Sequence, residues 1–361
     1  MTCYKPLKGW QIGWTARGKP EYKITTYYID HVEYDGSTWT ACPSDRVSPS
    51  AVKVVRDCQE IPCGHCIGCR MEYAKQWAGR CLLEMEQHEN NLFLTLTYSD
   101  DHLTYVMQQD PGREDYKSLI ATLVKRDFQL YMKRLRKALD YPVRFFAAGE
   151  YGDRSLRPHY HAIIFGLRKP DDLVLYKVSR GYTYYTSQWM DDIWQHGSVI
   201  IADANYKTAA YIARYCTKKA HGKDAAYFES LGLEPEFSLM SRRPGIGRQY
   251  YDDNVERIFS SDSIYISTPD GSQEIRPSRY YRKLMEMSDP ERYAVQKEID
   301  KITADDTTEV IDSMTSMSHM DYLAAAEEIK QKSLNKLVRN SATHEELWPD
   351  PIKHKPTNSL F

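Results

Sequence analysis

No stretch of the 361 residues is apolar over the roughly 18 consecutive positions that a bilayer-crossing helix needs. The opening Met1-Thr2-Cys3-Tyr4-Lys5-Pro6 holds no apolar core of signal-peptide length, so a cytosolic protein is expected. A charge excess is also missing: 48 Lys and Arg stand against 50 Asp and Glu, for a formal net charge of −2. That balance excludes a generally basic nucleic-acid coat but not a local basic groove offset by acids elsewhere. No internal repeat is evident. The 42% hydrophobic and 27% charged shares are those of an ordinary globular chain long enough to bury a large core.

Positive charge is concentrated in Lys125-Arg126 and Lys133-Arg134-Leu135-Arg136-Lys137, while acids gather late, as in Asp305-Asp306 and Glu327-Glu328. A solvated helix face is the plain reading of such a run; a DNA-binding surface using Lys133, Arg134, Arg136 and Lys137 is the functional one. Of the eight cysteines, five fall between Cys58 and Cys81. Stable disulfides are rare in a reducing cytosol, so this clustering points to a metal or to chance.

Residues 1 to about 57 read as short strands and loops, and Met71 to about His88 as a helix. Leu92 to Tyr98 is a strand by its apolar, β-branched and aromatic content. A loop containing Asp110-Pro111-Gly112 leads to a helix in which Phe128, Tyr131, Met132, Leu135 and Leu139 recur at helical spacing. Strands over 143–150 and 159–165 form a hairpin, and a strand near 198–201 precedes a helix over about 206–219. This order predicts an α+β fold, an antiparallel sheet with helices packed on it. The expected organisation is an N-terminal cysteine-rich region (1–90), a catalytic domain (91–250) and a helical, acidic C-terminal extension (251–361). In the last of these, helices are expected near 282–301 and 322–338.

Residues two apart in a strand share a face, so His159 and His161 project together and can chelate a divalent cation, with Tyr160 turned the other way. Glu150 lies at the other lip of the hairpin and becomes a third ligand if the register brings it beside His159; a one-residue slip would turn it away. Nitrogen and oxygen ligands suit Mn²⁺, and Mg²⁺ is the more available ion. With 11 histidines, such a pair can also arise from composition alone. In the helix Tyr211-Ile-Ala-Arg214-Tyr215-Cys-Thr-Lys218-Lys219, positions 211, 215 and 218 fall on one face. Such tyrosine pairs are easily produced by 28 tyrosines, and packing is their plain reading. Beside a metal and a cation, however, tyrosine can attack a phosphodiester and conserve its energy as a covalent ester. Arg214 and Lys219 add positive charge for a DNA backbone.

Cys63, Cys66 and Cys69 form C-x2-C-x2-C. The fourth cysteine of an iron–sulfur run is replaced by Tyr73, which leaves structural zinc or three reduced thiols. Cys58, His65, Cys3 and Cys42 are the candidates for a fourth zinc ligand.

Taken together, Cys63-Gly-His-Cys66-Ile-Gly-Cys69-Arg70, Phe93-Leu-Thr-Leu-Thr-Tyr98, Gly149-Glu150-Tyr-Gly, Arg157-Pro-His159-Tyr-His161-Ala-Ile-Ile-Phe165, the tyrosine helix and Ser241-Arg-Arg-Pro-Gly-Ile-Gly-Arg248 resemble the His-hydrophobic-His superfamily of single-strand DNA endonucleases. The closer likeness is to replication initiators of microviruses, of the gokushovirus kind. The resemblance implies nicking and rejoining of single-stranded DNA at a replication origin, a 5′-phosphotyrosine intermediate and rolling-circle replication in the cytoplasm of a bacterial host. It also implies Tyr211 and Tyr215 as nucleophiles, Lys218 as their electrostatic helper, and His159 and His161 as metal ligands. Tyr160 departs from the aliphatic residue of the superfamily name. Two further readings fit the same elements: a plasmid relaxase or transposase of this superfamily, and a non-catalytic single-strand binding module. The acidic tail suits docking to a host helicase or polymerase.

Overall fold

Strand and helix assignments follow the sequence periods, and the structure is a computed structural model describing residues 3–110, 113–152, 156–179, 181–217, 228, 230–260, 263–268 and 271–340. In chain order the elements are β1 (Leu7–Trp14), β2 (Pro20–Thr26), β3 (His31–Tyr34), β4 (Trp39–Cys42), β5 (Lys53–Val55), β6 (Cys58–Ile61), α1 (Ile67–Met85), β7 (Asn91–Tyr98), β8 (Thr104–Asp110), β9 (Arg113–Thr122) and α2 (Lys125–Ala138). There follow β10 (Arg144–Tyr151), β11 (Pro158–Phe165), β12 (Val174–Ser179), β13 (Tyr182–Thr186), α3 (Gln188–Trp194), β14 (Gly197–Asp203), α4 (Tyr206–Thr217) and β15 (Phe237–Met240). The chain continues through α5 (Arg248–Ser260), β16 (Ile264–Thr268), β17 (Gly271–Ile275), α6 (Arg279–Ser288), α7 (Pro290–Met314) and α8 (His319–Asn340). The fold is α+β with antiparallel sheets, as expected. No helix among the described residues is long and apolar enough to cross a membrane.

The chain divides into two compact units. One comprises Met1–Glu72 with Val295–Asn340 and contains the small sheets β2-β1-β6 and β4-β3-β5. Its interior packs Tyr4, Cys66, Ile67 and Cys69 against Leu323 of α8. The other unit contains Tyr73–Ala294 and is built on a seven-stranded sheet of order β12-β13-β14-β7-β11-β10-β15.

That sheet is covered on both faces, which explains why β7 and β11 are almost wholly buried rather than alternately exposed. Phe93, Phe146, Ile163 and Phe165 face α1, α4, α5 and α6, packing with Leu82, Ile212, Tyr250 and Tyr281. Leu94, Leu96, Tyr160, Ala162 and Ile164 face α2 and α3, packing with Phe128, Tyr131, Leu135 and Trp194. Gly149 is needed between these layers, because a Cβ there would lie 2.8 Å from the Phe237 ring of β15.

Two expectations change. The loop around Asp110-Pro111-Gly112 links the arms of a hairpin: β8 and β9 pair from Thr104↔Thr122 to Asp110↔Arg113. The polar, charged arms conceal this strand pair from a reading based on apolar runs. The single helix expected over 282–301 is two, divided at Asp289-Pro290. A residue before proline disfavours helical dihedrals, and Asp289 Oδ1 accepts from Arg292 N at 3.0 Å to cap the next helix.

Helix α3 is fastened to β14 by Asp191, whose Oδ1 accepts from Val199 N at 2.7 Å. Burial raises the Asp191 carboxyl from 3.8 to about 6, with Asp192 and Asp172 adding to the rise and the Val199 N–H opposing it. A carboxyl raised in the folded state favours the protonated form there. Its stabilising contribution is therefore complete below the unfolded value and is lost as pH rises through about 6. Asp191→Asn should flatten this dependence. Urea midpoints of the variant and the parent, compared from pH 4.5 to 7.5, should diverge in the variant's favour as pH rises.

Candidate metal centre and tyrosine helix

The β10–β11 register places Glu150 directly opposite His159 and Ala148 opposite His161. Strand alternation then turns Glu150, His159 and His161 toward α4, and their ligand atoms gather within 4.8 Å of one another. Glu150 Oε1 lies 2.9 Å from His159 Nε2 and 2.8 Å from His161 Nε2, with Glu150 only 3% exposed. Atoms bound at about 2.1 Å in neighbouring positions of an octahedral ion are about 3.0 Å apart, so this spacing fits a divalent cation. The hydrogen bonding agrees. His159 Nδ1 is 3.1 Å from the Arg157 carbonyl, which can only accept, so Nδ1 carries the proton. In neutral His159 the Nε2 lone pair then points at a carboxylate oxygen, an arrangement stable only with a proton or cation between them. Burial works to raise the Glu150 carboxyl, but the His161 and His159 imidazoles outweigh it and hold the carboxyl well below its usual range. Burial lowers His161, with Glu150 opposing.

Helix α4 is positioned by its small and apolar residues. Asn205 and Thr208 cap its start reciprocally, through Thr208 N to Asn205 Oδ1 at 3.0 Å and Asn205 N to Thr208 Oγ1 at 2.9 Å. Ala209 and Ile212 enter the sheet core, and Ala213 packs on Ala74 and Ala78 of α1. These contacts aim Tyr211 at the triad: its hydroxyl is 3.4 Å from both Glu150 Oε1 and His161 Nε2. The Tyr211 ring meets the His161 ring edge-on at 5.0 Å. Arg214 is exposed, with its guanidinium 6.0 Å from the Tyr211 ring centroid. Tyr215 falls within α4, but its side chain lies outside the described residues, as do Lys218 and Lys219.

The basic residues of α2 are not brought to this face. Helix α2 packs on the other side of the sheet, where Arg134 donates from Nε to Ile193 O and from a terminal nitrogen to Trp194 O, both at 2.7 Å, closing the C-terminus of α3. Arg136 donates to Val143 O. Lys133 and Lys137 are exposed on that layer.

The cysteines form a second group, in which Cys3 joins Cys63, Cys66 and Cys69 with all four sulfurs within 4.8 Å. The Cys63–Cys69 and Cys66–Cys3 sulfur separations are 4.0 and 3.9 Å. Sulfurs bound at about 2.3 Å to a tetrahedral ion lie about 3.8 Å apart. Backbone N–H groups of Tyr4, Cys63 and Cys66 each point at a sulfur at 3.3 Å, an environment suited to thiolates. Burial opposes ionisation of Cys66, yet the N–H groups of Cys69 and Tyr4 bring it down to about 7, while burial pushes Cys3 up to about 11. A third group, His31, Glu33 and Cys42, is bonded within itself. Glu33 Oε1 accepts from His31 Nε2 at 2.7 Å and from Ser48 N at 2.9 Å, a satisfied buried carboxylate.

A family model for replication-associated proteins of the ORF2 type matches residues 91–220, a span holding the Glu-His-His triad and α4. The chain is 33% identical over 286 residues to Replication-associated protein ORF2 of Spiroplasma virus 4, covering 77% of this chain and 83% of the relative. It is 34% identical over 242 residues to Replication-associated protein VP4 of Bdellovibrio phage phiMH2K, covering 64% and 70%. Identity to Replication-associated protein ORF4 of Chlamydia phage 1 is 30% over 238 residues, covering 57% and 56%. The chain belongs to the family of phage replication-associated proteins. No solved structure matches it.

In this replication-associated protein, Tyr160 projects to the face away from the histidines, 1% exposed. Its oxygen lies 3.1 Å from Val124 N, which donates to it, 2.8 Å from Val124 O and 2.6 Å from the Tyr98 oxygen. Tyr98 in turn donates to Asp127 Oδ2 at 2.7 Å. The bulky central residue therefore ties the start of α2 to the histidine strand. Sequence reasoning missed this tether, although alternation along β7 and β11 puts Tyr98 and Tyr160 on one face. Tyr160→Phe should cost about 1–2 kcal/mol by stranding these groups. Denaturant unfolding will measure the loss, and Mn²⁺ affinity should be unchanged.

Proposed function

We propose that this protein initiates rolling-circle replication of a small phage genome, nicking and rejoining single-stranded DNA at its origin in the cytoplasm of a bacterial host. The observation that carries this reading is the Tyr211 hydroxyl 3.4 Å from both Glu150 Oε1 and His161 Nε2. Divalent Mg²⁺ or Mn²⁺ held by Glu150, His159 and His161 would supply positive charge to the oxygens of the scissile phosphate. The Tyr211 oxygen attacks phosphorus in line, forming a P–O bond to tyrosine. The P–O3′ bond breaks, and the 3′ oxygen leaves as a hydroxyl after taking a proton. Attack by that hydroxyl on the phosphotyrosine reverses the step and rejoins the strand without a nucleotide cofactor. Tyr215, one turn further along α4, is the second nucleophile in this scheme, and Lys218 its electrostatic helper. Arg214 and Lys219 contact the phosphate backbone near the site; Lys133 and Lys137 of α2 meet DNA only where it passes the other layer. The acidic Asp305-Asp306 stretch suits a host helicase or polymerase. Cys3, Cys63, Cys66 and Cys69 hold a structural zinc that orders the N-terminal unit.

On a denaturing gel, an origin-bearing single strand labelled at its 3′ end should give a metal-dependent protein–DNA adduct. Tyr211→Phe and Tyr215→Phe should each reduce the adduct, and the double variant should abolish it. Metal-dependent cutting without an adduct would sink the tyrosine mechanism; full activity in the double variant would sink the residue assignment. The zinc reading expects one equivalent in the purified protein and its loss in Cys3→Ser, measured by elemental analysis. Less than one equivalent in the parent ends it.

A further inference from the structure

The motif Phe93-Leu-Thr-Leu-Thr-Tyr98 remains without an assigned role, although β7 runs beside the histidine strand with Thr95 directly opposite His161. The Thr95 oxygen is 3.0 Å from His161 Nδ1, and the two residues are 8% and 1% exposed. His161 is also held flat against Phe93, with ring centroids 5.4 Å apart and planes 21° apart. The two histidines thus differ in what stands behind them. Behind His159 is the Arg157 carbonyl, which accepts and never donates. Behind His161 is a hydroxyl, which does both.

We infer that Thr95 is a two-way positioning residue for His161, letting its imidazole serve the cation-free and cation-loaded site in different tautomers. The inference rests on the reading of Glu150, His159 and His161 as a metal site. Without a cation, His161 Nε2–H donates to Glu150 Oε1 at 2.8 Å, and the Thr95 hydroxyl donates to Nδ1. With a cation bound, Nε2 must present its lone pair, so the ring proton moves to Nδ1 and the Thr95 oxygen accepts it. The imidazole is neutral in both states, and one proton changes nitrogen through exchange with solvent. A backbone carbonyl in place of Thr95 would satisfy only the loaded form. An apolar group would satisfy neither and would leave a buried ring nitrogen without a partner. Histidine ligands depend on such partners, whose removal typically costs about 10–100-fold in metal affinity.

The test uses the full chain without DNA. Mn²⁺ affinity is measured by titration for the parent, Thr95→Val, Thr95→Ser, and His161→Ala as the site control; thermal melting checks that each variant is folded. Thr95→Val should weaken Mn²⁺ binding by about 10-fold or more, and Thr95→Ser should restore it to within about 3-fold. Nitrogen-15 spectra of the histidine rings should place the His161 proton on Nε2 in the metal-free protein. With diamagnetic Mg²⁺ it should move to Nδ1, with no such change at His159. Loss of binding in His161→Ala with undiminished binding in Thr95→Val would overturn the role of Thr95 alone. An unchanged His161 tautomer on loading would do the same. If the parent binds no Mn²⁺, or His161→Ala binds as the parent does, the metal-site reading fails and this inference with it.

Discussion

A buried carboxylate between two imidazoles is stable only if its charge is answered, and the antiparallel register of β10 and β11 answers it. Glu150 opposite His159, with His161 two positions along, brings three ligand atoms to one point on a rigid, doubly covered sheet. A one-residue slip would send Glu150 to the α2 side, into a core of Leu94, Tyr160 and Phe128 where no cation or donor is built to receive it. The same register seats Gly149 under the Phe237 ring, so the close approach of β15 and the placement of Glu150 are enforced together.

Division of labour between the sheet faces follows from this. Even-numbered positions of β11 carry Tyr160, Ala162 and Ile164 to the α2–α3 layer, and odd-numbered ones carry His159, His161 and Ile163 to the α4 layer. Tyr160 and Tyr98 anchor α2 on one side, while α4 rests on the other through Ala209, Ile212 and Ala213. The larger central residue of the histidine pair therefore costs the triad nothing. Its hydroxyl gives the opposite layer a fixed point that an aliphatic residue could not supply. Two arginines of the basic helix are occupied with carbonyls of neighbouring elements, so much of that charge run is architectural.

Local periods made part of this legible. Alternation in 159–161 and the helical phase of 206–217 are properties of short segments, and each survives in the structure. The pairing of Glu150 with His159 was readable only as a conditional statement, because register depends on the turn and on packing across both faces. Cys3 could be no more than one of several candidates: 60 residues separate it from Cys63, and nothing local reveals that the N-terminal segment returns to α1. The side of the sheet taken by α2 was equally hidden, since a charge run records what a helix exposes and not which layer it joins. The β8–β9 hairpin escaped because its arms are short of apolar residues and a proline–glycine turn looks like any loop.

The two ligand groups also differ in hardness and in what they leave open. Four sulfurs about 4 Å apart, each pair bridged by short backbone segments or N–H contacts, enclose a tetrahedral position and leave no vacancy for substrate. Glu150, His159 and His161 occupy one side of their ion, and the remaining side faces Tyr211. A soft, closed set suits an ion that stays for the life of the fold. A mixed nitrogen–oxygen set with open positions suits one that meets phosphate oxygens and exchanges. Binding of the exchangeable ion must then be repeatedly reversible at a buried histidine. That favours a partner for His161 able to reverse its own hydrogen bond, and the hydroxyl of Thr95 is such a group.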